Sequence, residues 1–451
     1  VLELKQKTVT ILGLGRSGLA CAQELLNAGC DLILSDSRPT EELLSLTAHL
    51  SEQRVRVEGG GHSSACLDAD LIVMSPGVSV NLPIIQAAIA DGVPVIGEVE
   101  LAFQLRPDVP IIAITGTNGK TTTTTLIGEI LAAAGLKAPV GGNIGLPLVS
   151  LVHAPADWVV AEISSFQLET VRHFRPKIGV FLNFSDDHLD RHGSREQYLA
   201  TKRRLFEQQR ADDWVILNAD DPTVAGLAGM VPARVLYFSA HRDLPAGVMI
   251  KDGWIIHRTA QGDQTVMPVN EIPLRGRHNL ENVLASVCVG VILKVLAGPM
   301  RRAIAAFRGV EHRIEPVRAL NGVLYVNDSK GTNYASTVKA IEAFDEPLVL
   351  IAGGRDKGGA INDFLDAVVR KVRHTILLGE AAPYFERMLH NVGYTAVSVA
   401  TDLQHAVNLA RAIAHSGEVV LFSPACTSFD MFKNYEERGR AYKSIVQELP
   451  R

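Results

Sequence analysis

The sequence predicts three doubly wound α/β domains, and three observations carry that expectation. At ~150 residues per domain, 451 residues amount to about three. Short β-branched runs without polar alternation recur between helical patterns, as parallel strands covered on both faces require. Glycine is abundant at 38, against 6% aromatic residues, which suits many tight strand-to-helix turns. Composition narrows the function classes. Hydrophobic residues at 47% and charged residues at 21% are ordinary for globular chains. A net charge of −5 and a pI near 6.3 argue against nucleic-acid binding by bulk positive charge. No apolar run reaches the ~20 residues that cross a bilayer, and the first residues lack the plan of a secretory signal. Five cysteines without a C-x-x-C pair make a disulfide framework or thiolate zinc site a poor reading. A cytoplasmic setting is expected, with no membrane partner and no nucleic acid.

Taken in order, the strand patterns are residues 8–12, 32–35, 71–74, 110–115, 158–161 and 179–182, then 323–326, 348–352, 375–378 and 419–422. Helical patterns lie between them, as at 19–28 and 122–134. The first strand cluster ends near residues 94–97. The second opens at 107–110 and runs through a helical stretch at 279–307. The third starts near 309–313. The expected domains are therefore 1–98, 99–309 and 310–451. Residues 215–273 are less regular and predict antiparallel strands beside the central sheet.

The second cluster holds the most specific motif. A buried strand runs into Gly116-Thr117-Asn118-Gly119-Lys120-Thr121 and then a threonine-rich helix start. Strand, glycine loop, Lys-Thr and helix is the plan of a phosphate-binding loop. Backbone N–H groups would converge on phosphate oxygens, Lys120 would reach the β/γ-phosphates, and the Thr121 hydroxyl would ligate Mg²⁺. The usual pattern has a further glycine where this chain has Ile114.

In the first cluster, Gly13-Leu14-Gly15-Arg16-Ser17-Gly18 follows the first strand, and Asp36 ends the second. This is the dinucleotide fingerprint, in which the acid would hold a ribose hydroxyl. NAD is one occupant; a nucleotide-linked substrate is the other, because the chain already has a separate triphosphate loop. A third reading is a turn that uses glycine only for close packing.

Two strands after the phosphate loop lead to Glu162 and to Asn183-Phe184-Ser185-Asp186-Asp187-His188. Ligands of open α/β sheets collect beyond strand carboxyl ends, so Glu162 and His188 are candidate Mg²⁺ neighbours. His188 also reads as a loop histidine satisfied locally. A helix is expected over 194–209, with an apolar stripe of Tyr198, Leu199, Leu205 and Phe206. Lys202 falls on that stripe. Either its stem snorkels to water, or burial lowers its pKa. A neutral amine there could add CO₂ and become a carbamate ligand.

Together these residues resemble the Mur ligases of peptidoglycan synthesis, over essentially the whole chain. Two carboxy-terminal segments make the likeness specific: Asn327-Asp328-Ser329-Lys330-Gly331-Thr332-Asn333, and Ser423-Pro424-Ala425-Cys426-Thr427-Ser428-Phe429-Asp430 continuing to Asn434-Tyr435-Glu436-Glu437-Arg438-Gly439. The resemblance implies a Rossmann-like first domain, a central ATPase-like domain with a parallel sheet and a Rossmann-like third domain. It implies ATP-dependent joining of D-glutamate to UDP-N-acetylmuramoyl-L-alanine through an acyl phosphate. It assigns Arg16, Ser17, Asp36, Ser37, Arg38, Gly77 and Asn143 to the UDP portion. Gly116 to Thr121, Asn279, Asn282, Arg313 and Asp328 would contact ATP. Thr121, Glu162, His188 and a carbamylated Lys202 would hold two Mg²⁺ ions, with Lys120, His188 and Lys202 catalytic. Lys330, Thr332, Lys357, Ser428 and Tyr435 would form the D-glutamate pocket. Lys357 alternatively reads as a solvated loop charge, and the base that deprotonates the incoming amine is not identified. A monomer is expected. An oxidoreductase, a non-catalytic phosphate-loop switch and a sibling ligase for another amino acid are the rival readings.

Overall fold

A computed structural model describes residues 3–50 and 52–450. The chain divides into two compact units. One comprises the chain up to Ile272 together with Glu281–Ala305; the other comprises Pro273–Leu280 and the chain from Ala306 on.

The first unit contains two sheets. Strands β1 (Thr8–Leu12), β2 (Asp31–Ser35), β3 (Val55–Glu58), β4 (Leu71–Met74) and β5 (Val95–Gly97) form an all-parallel sheet in the order β3-β2-β1-β4-β5. The strand order reverses at β1 and β4, whose ends lie in register at Leu12 and Met74. That reversal opens a crevice beyond the strand ends.

The second sheet has nine strands: β6 (Ile111–Thr115), β7 (Val140–Gly142), β8 (Val159–Glu162), β9 (Ile178–Phe181), β10 (Trp214–Asn218), β11 (Arg234–Ser239), β12 (Gly247–Lys251), β13 (Trp254–Thr259) and β14 (Gly262–Pro268). Their order is β14-β13-β12-β11-β10-β9-β6-β8-β7. Strand β6 lies between β8 and β9 and is buried along its whole length. Register pairs Ile114 with Glu162, and Thr115 with Phe181. The phosphate loop, Glu162 and the segment after β9 therefore leave the sheet at one level.

In the second unit, β15 (Glu315–Leu320), β16 (Val323–Asn327), β17 (Leu348–Gly353), β18 (Val372–Leu378), β19 (Val397–Val399) and β20 (Val419–Phe422) give the order β15-β16-β20-β17-β18-β19. Only the β15–β16 pair is antiparallel. Strand β20 returns between β16 and β17, with Phe422 beside both Asn327 and Ile351. The two carboxy-terminal motifs thus emerge from adjacent strands although almost a hundred residues separate them.

The structure corrects two expectations. The helix expected over 194–209 is α-helical only over Arg195–Arg203 and tightens into a 3₁₀ turn at Arg204–Phe206. The Arg204 guanidinium donates to the carbonyls of Glu169 and Val171, which anchors that turn. Antiparallel pairing in 215–273 is confined to β12, β13 and β14; β10, β11 and β12 pair in parallel. Strands β3 and β7 have no unbroken apolar run to announce them. Both are edge strands, and β3 alternates in character as Val55-Arg56-Val57-Glu58.

Candidate active site

The phosphate loop joins β6 to the helix Lys120–Ala133. Gly119 is the residue at the helix entry and has φ 84°, a left-handed conformation that glycine adopts without strain. A Cβ there would sit 2.2 Å from Oδ1 of Asn282, so the loop and Asn282 fit together only with glycine. No side chain caps this helix, which suits an anion at its N-terminus. Asn183 holds the loop in shape: its Oδ1 accepts from the Asn118 N–H at 2.9 Å, and its Nδ2 donates to the Asn118 carbonyl at 3.1 Å. The Ser185 N–H donates to Thr117 Oγ1 at 3.0 Å, and that hydroxyl donates to the Ser185 carbonyl at 3.1 Å.

Two lysines converge on this loop. Lys120 Nζ donates to the carbonyls of Gly116 at 3.0 Å and Thr117 at 2.9 Å. Lys202 Nζ donates to the same Gly116 carbonyl at 2.8 Å. Lys202 is 1% exposed, and its amine lies 4.7 Å from the centre of the Tyr198 ring. It does not snorkel. Burial, then the charge of Lys120, pushes its ammonium well below the ordinary value, while Asp187 and Glu162 pull the other way. The result is an amine biased toward neutrality beside a phosphate loop.

Glu162, 2% exposed, accepts from the Thr121 hydroxyl at 2.8 Å and from Asn143 Nδ2 at 2.9 Å. A hydroxyl and a carboxylate on one spot are hard oxygen donors, the chemistry Mg²⁺ prefers, so this donor set fits that ion. Asn143 accordingly sits at Glu162, not on the first-sheet cavity described below. His188 has φ 52° and a side chain 42% exposed. Its ring lies edge-on to Phe166 with centres 4.8 Å apart, and its Nε2 lies 3.6 Å from Asp187. His192 belongs to no motif in the sequence. It is buried behind His188, bonded to Ser165 Oγ at 3.0 Å and packed on Tyr198. Burial lowers its pKa against the opposing pull of Glu169. Its signal in the sequence is only a second histidine four positions on.

Beyond β1 and β4 lies a cavity of about 420 Å³. Arg16, Ser17, Asp36, Ser37 and Gly77 line it, joined by His62. Arg38 instead clamps Asp36: Nε donates to Oδ1 at 3.1 Å and Nη2 to Oδ2 at 3.0 Å. Leu14 N–H donates to Asp36 at 2.6 Å and Arg38 N–H at 3.1 Å. Burial raises the Asp36 pKa, but these donors outweigh it and hold the carboxyl at about 2.

In the second unit, Asn279 and Arg313 share a cavity of about 370 Å³ with Arg275, Leu274, Ile314 and Phe344. Asn282 belongs to the first unit, beside Gly119. Asp328 is buried, accepting from Ser423 Oγ at 2.6 Å and from the Ile314 N–H at 3.1 Å. Burial raises its pKa to about 6, against Ser423 and the charge of Arg313. Lys330 Nζ lies 5.6 Å from the centre of the Tyr435 ring. Arg438, 1% exposed, ties the two motifs: it donates to Ser329 O at 2.8 Å, Thr427 O at 3.0 Å and Cys426 O at 3.1 Å. From the sequence it reads as surface charge, because it follows two glutamates. Ser428 is buried next to these carbonyls, Thr332 is half-buried, and Lys357 is exposed on the loop after β17.

Comparison with known proteins defines the class. Models of the Mur ligase MurD-like N-terminal domain, the Mur ligase middle domain and the Mur ligase glutamate ligase domain match residues 7–97, 114–290 and 312–426. The fold is shared with the pseudomurein peptide ligase type C of Methanothermus fervidus, at 19% identity and TM-score 0.60, covering 99% of this chain and 100% of the other. It is shared equally with the MurF ligase of Thermotoga maritima solved with ADP, at 16% identity and TM-score 0.61, covering 99% and 96%. The chain belongs to the Mur ligase family. Several relatives at 42–46% identity over nearly the whole of both chains carry the name UDP-N-acetylmuramoylalanine--D-glutamate ligase. The protein of Pelotomaculum thermopropionicum is 44% identical, with 99% of each chain covered. That of Acidobacterium capsulatum is 46% identical, covering 99% of this chain and 97% of its own.

Proposed function

We propose that the protein ligates D-glutamate to UDP-N-acetylmuramoyl-L-alanine at the expense of ATP, through an acyl phosphate, in peptidoglycan precursor synthesis. The relatives bearing that name match end to end at 42–46% identity. The observation that carries the chemistry is the pair of lysines on the Gly116 carbonyl. A carboxylate is a poor acyl donor, because its oxygen is a poor leaving group. Transfer of the γ-phosphoryl of ATP to the L-alanyl carboxylate breaks the β–γ linkage, releases ADP and gives an acyl phosphate, whose leaving group is phosphate. The D-glutamate amine then attacks the carbonyl carbon, and phosphate leaves as the amide forms.

Each part of the chain has a task in this scheme. Backbone N–H groups of Gly116 to Thr121 receive the phosphates, and Lys120 turns from loop carbonyls to the γ-phosphate as charge moves onto it. Thr121, Glu162 and His188 would hold Mg²⁺, with Lys202 adding carboxylate oxygens if its amine takes up CO₂. Bound there, two Mg²⁺ ions supply charge neutralisation at the transferring phosphoryl. Asn279, Asn282, Arg313 and Asp328 contact the nucleotide. The cavity at β1 and β4 takes the UDP portion, through Arg16, Ser17, Asp36, Ser37 and Gly77, with Arg38 fixing Asp36. Lys330, Thr332, Lys357, Ser428 and Tyr435 bind D-glutamate, whose two carboxylates need cations and hydroxyls. In this scheme the enzyme acts as a cytoplasmic monomer.

Phosphate release with UDP-N-acetylmuramoyl-L-alanine and a panel of D- and L-amino acids tests the proposal. Release that depends on D-glutamate is expected. Release independent of it, or preference for another amino acid, would overturn the assignment.

A further inference from the structure

The cavity at the ends of β1 and β4 contains a ring that no motif announced. His62 lies in the loop after β3 and lines the cavity with Asp36 and Gly77. Its Nδ1 is 2.8 Å from the hydroxyl of Ser35, which is fully buried. That hydroxyl also lies 3.0 Å from the Gly61 carbonyl and donates to it. A hydroxyl has one hydrogen, and a carbonyl can only accept. Ser35 therefore spends its hydrogen on Gly61 and accepts from His62, which puts the imidazole proton on Nδ1. In the neutral ring Nε2 is then an acceptor only. Burial favours that neutral ring, against the charges of Asp36 and Glu58.

The carboxylate that lines the cavity is already committed. Asp36 receives four hydrogen bonds, from Leu14 N, Arg38 N, Arg38 Nε and Arg38 Nη2, which occupies the lone pairs of both oxygens. It cannot take a ribose hydroxyl without releasing one of them. His62 Nε2, by contrast, has no hydrogen-bond partner among the described residues. Serine hydroxyls can switch between donor and acceptor. An imidazole nitrogen held as an acceptor cannot, so it rewards a ligand donor and penalises a ligand acceptor facing it.

We infer that His62 is a specificity residue of this cavity, its Nε2 accepting a hydrogen bond from the uridine of the substrate, either the uracil N3–H or a ribose hydroxyl. The inference rests on the reading that this cavity holds the UDP portion. Cytosine carries a bare acceptor at N3, so the first donor would make the site select uracil over cytosine. The second would make it select ribose over 2′-deoxyribose.

Titration calorimetry of the full chain with UDP, CDP and 2′-deoxy-UDP separates these outcomes. Wild type is expected to bind UDP about tenfold more tightly than one of the two analogues, the scale of one hydrogen bond. His62→Phe, which keeps a flat ring without an acceptor, should weaken UDP about tenfold and erase that preference. His62→Gln, which retains an acceptor, should restore part of it. Loss of the CDP preference identifies N3–H as the donor; loss of the deoxyribose preference identifies the hydroxyl. A wild type that binds all three alike, or a His62→Phe variant that binds UDP as wild type does, overturns the inference. Arg16→Ala distinguishes the deeper failure: if it too leaves UDP affinity unchanged, the cavity does not hold UDP. If it weakens UDP while His62→Phe does not, the inference about His62 alone falls.

Discussion

Two glycine loops of the first unit use one backbone device for different ends. Gly13 to Gly18 follows β1 and Gly116 to Thr121 follows β6; each turns a buried strand into a helix whose entry residue, Gly15 or Gly119, provides no side-chain cap. Both leave helix N-termini ready for phosphate. They differ in what surrounds them. The first faces a cavity of about 420 Å³ whose acid, Asp36, is neutralised by Arg38. The second carries two lysines on one carbonyl and an acid on its threonine. A site that only holds a diphosphate needs little more than oriented N–H groups. A site that moves a phosphoryl group must also meet charge that develops during transfer, and preorganised cations do that.

The sharpest break of this comparison is Lys202→Ala. It should lower kcat by about 10²–10³-fold, the scale for removing a preorganised charge at the reacting centre. UDP affinity by calorimetry should stay at the wild-type value. Partial recovery with short carboxylic acids would support a carbamate at that position. If Lys202→Ala retained full turnover, the lysine would be a packing residue and the two loops would no longer differ in kind.

Next in size is Gly18→Ala. A Cβ at Gly18 would lie 2.0 Å from the Gly13 carbonyl, so the helix must lift off the loop. Overpacking of this kind costs about 1–3 kcal/mol. Thermal unfolding should shift down, and UDP should bind more weakly while ATP binding survives. Gly119→Ala is the mirror experiment: strain at φ 84° and the clash with Asn282 should weaken ATP and spare UDP. Equal damage to both ligands from either variant would show that the loops are not independent.

Smaller still is the pH effect at Asp36. Its folded pKa of about 2 lies below the unfolded value of about 3.9. The sign is therefore stabilising: the contribution is complete above pH ~4 and is lost as pH falls through the folded value. Asp36→Asn should remove about 1 kcal/mol at pH 7, after allowance for screening at the partly exposed Arg38. The stability difference between wild type and variant should shrink in acid. A constant difference from pH 7 to pH 2 would contradict the assignment of charge to Asp36.

Much of the fold was legible in the sequence because parallel strands buried on both faces leave an unmistakable run of apolar residues. Strands β1, β4 and β20 have the expected bounds, 8–12, 71–74 and 419–422, and most of the other expected strands are displaced by a residue or two. Edge strands escaped because they are not buried twice. The parallel pairing of β10, β11 and β12 escaped because strand direction is set by partners, not by the strand itself. The phosphate loop was legible because its backbone conformation demands glycine at fixed spacing. The burial of Lys202 was an open alternative in the sequence; the structure decides it, because the amine finds the Gly116 carbonyl 86 residues away.

By itself the sequence determined which chemistries were available: glycine turns that admit phosphates, a lysine on an apolar stripe, two acidic and hydroxyl-rich motifs near the carboxy terminus. Only the tertiary structure decided which groups are free to act. It gave Asp36 four donors, set Asn143 on Glu162, buried Arg438 beneath two motifs and brought the His62 ring against the Ser35 hydroxyl. The reason is physical. Residue type and spacing fix what a side chain can donate or accept, but whether that capacity is already spent depends on neighbours brought together only when distant strands pair.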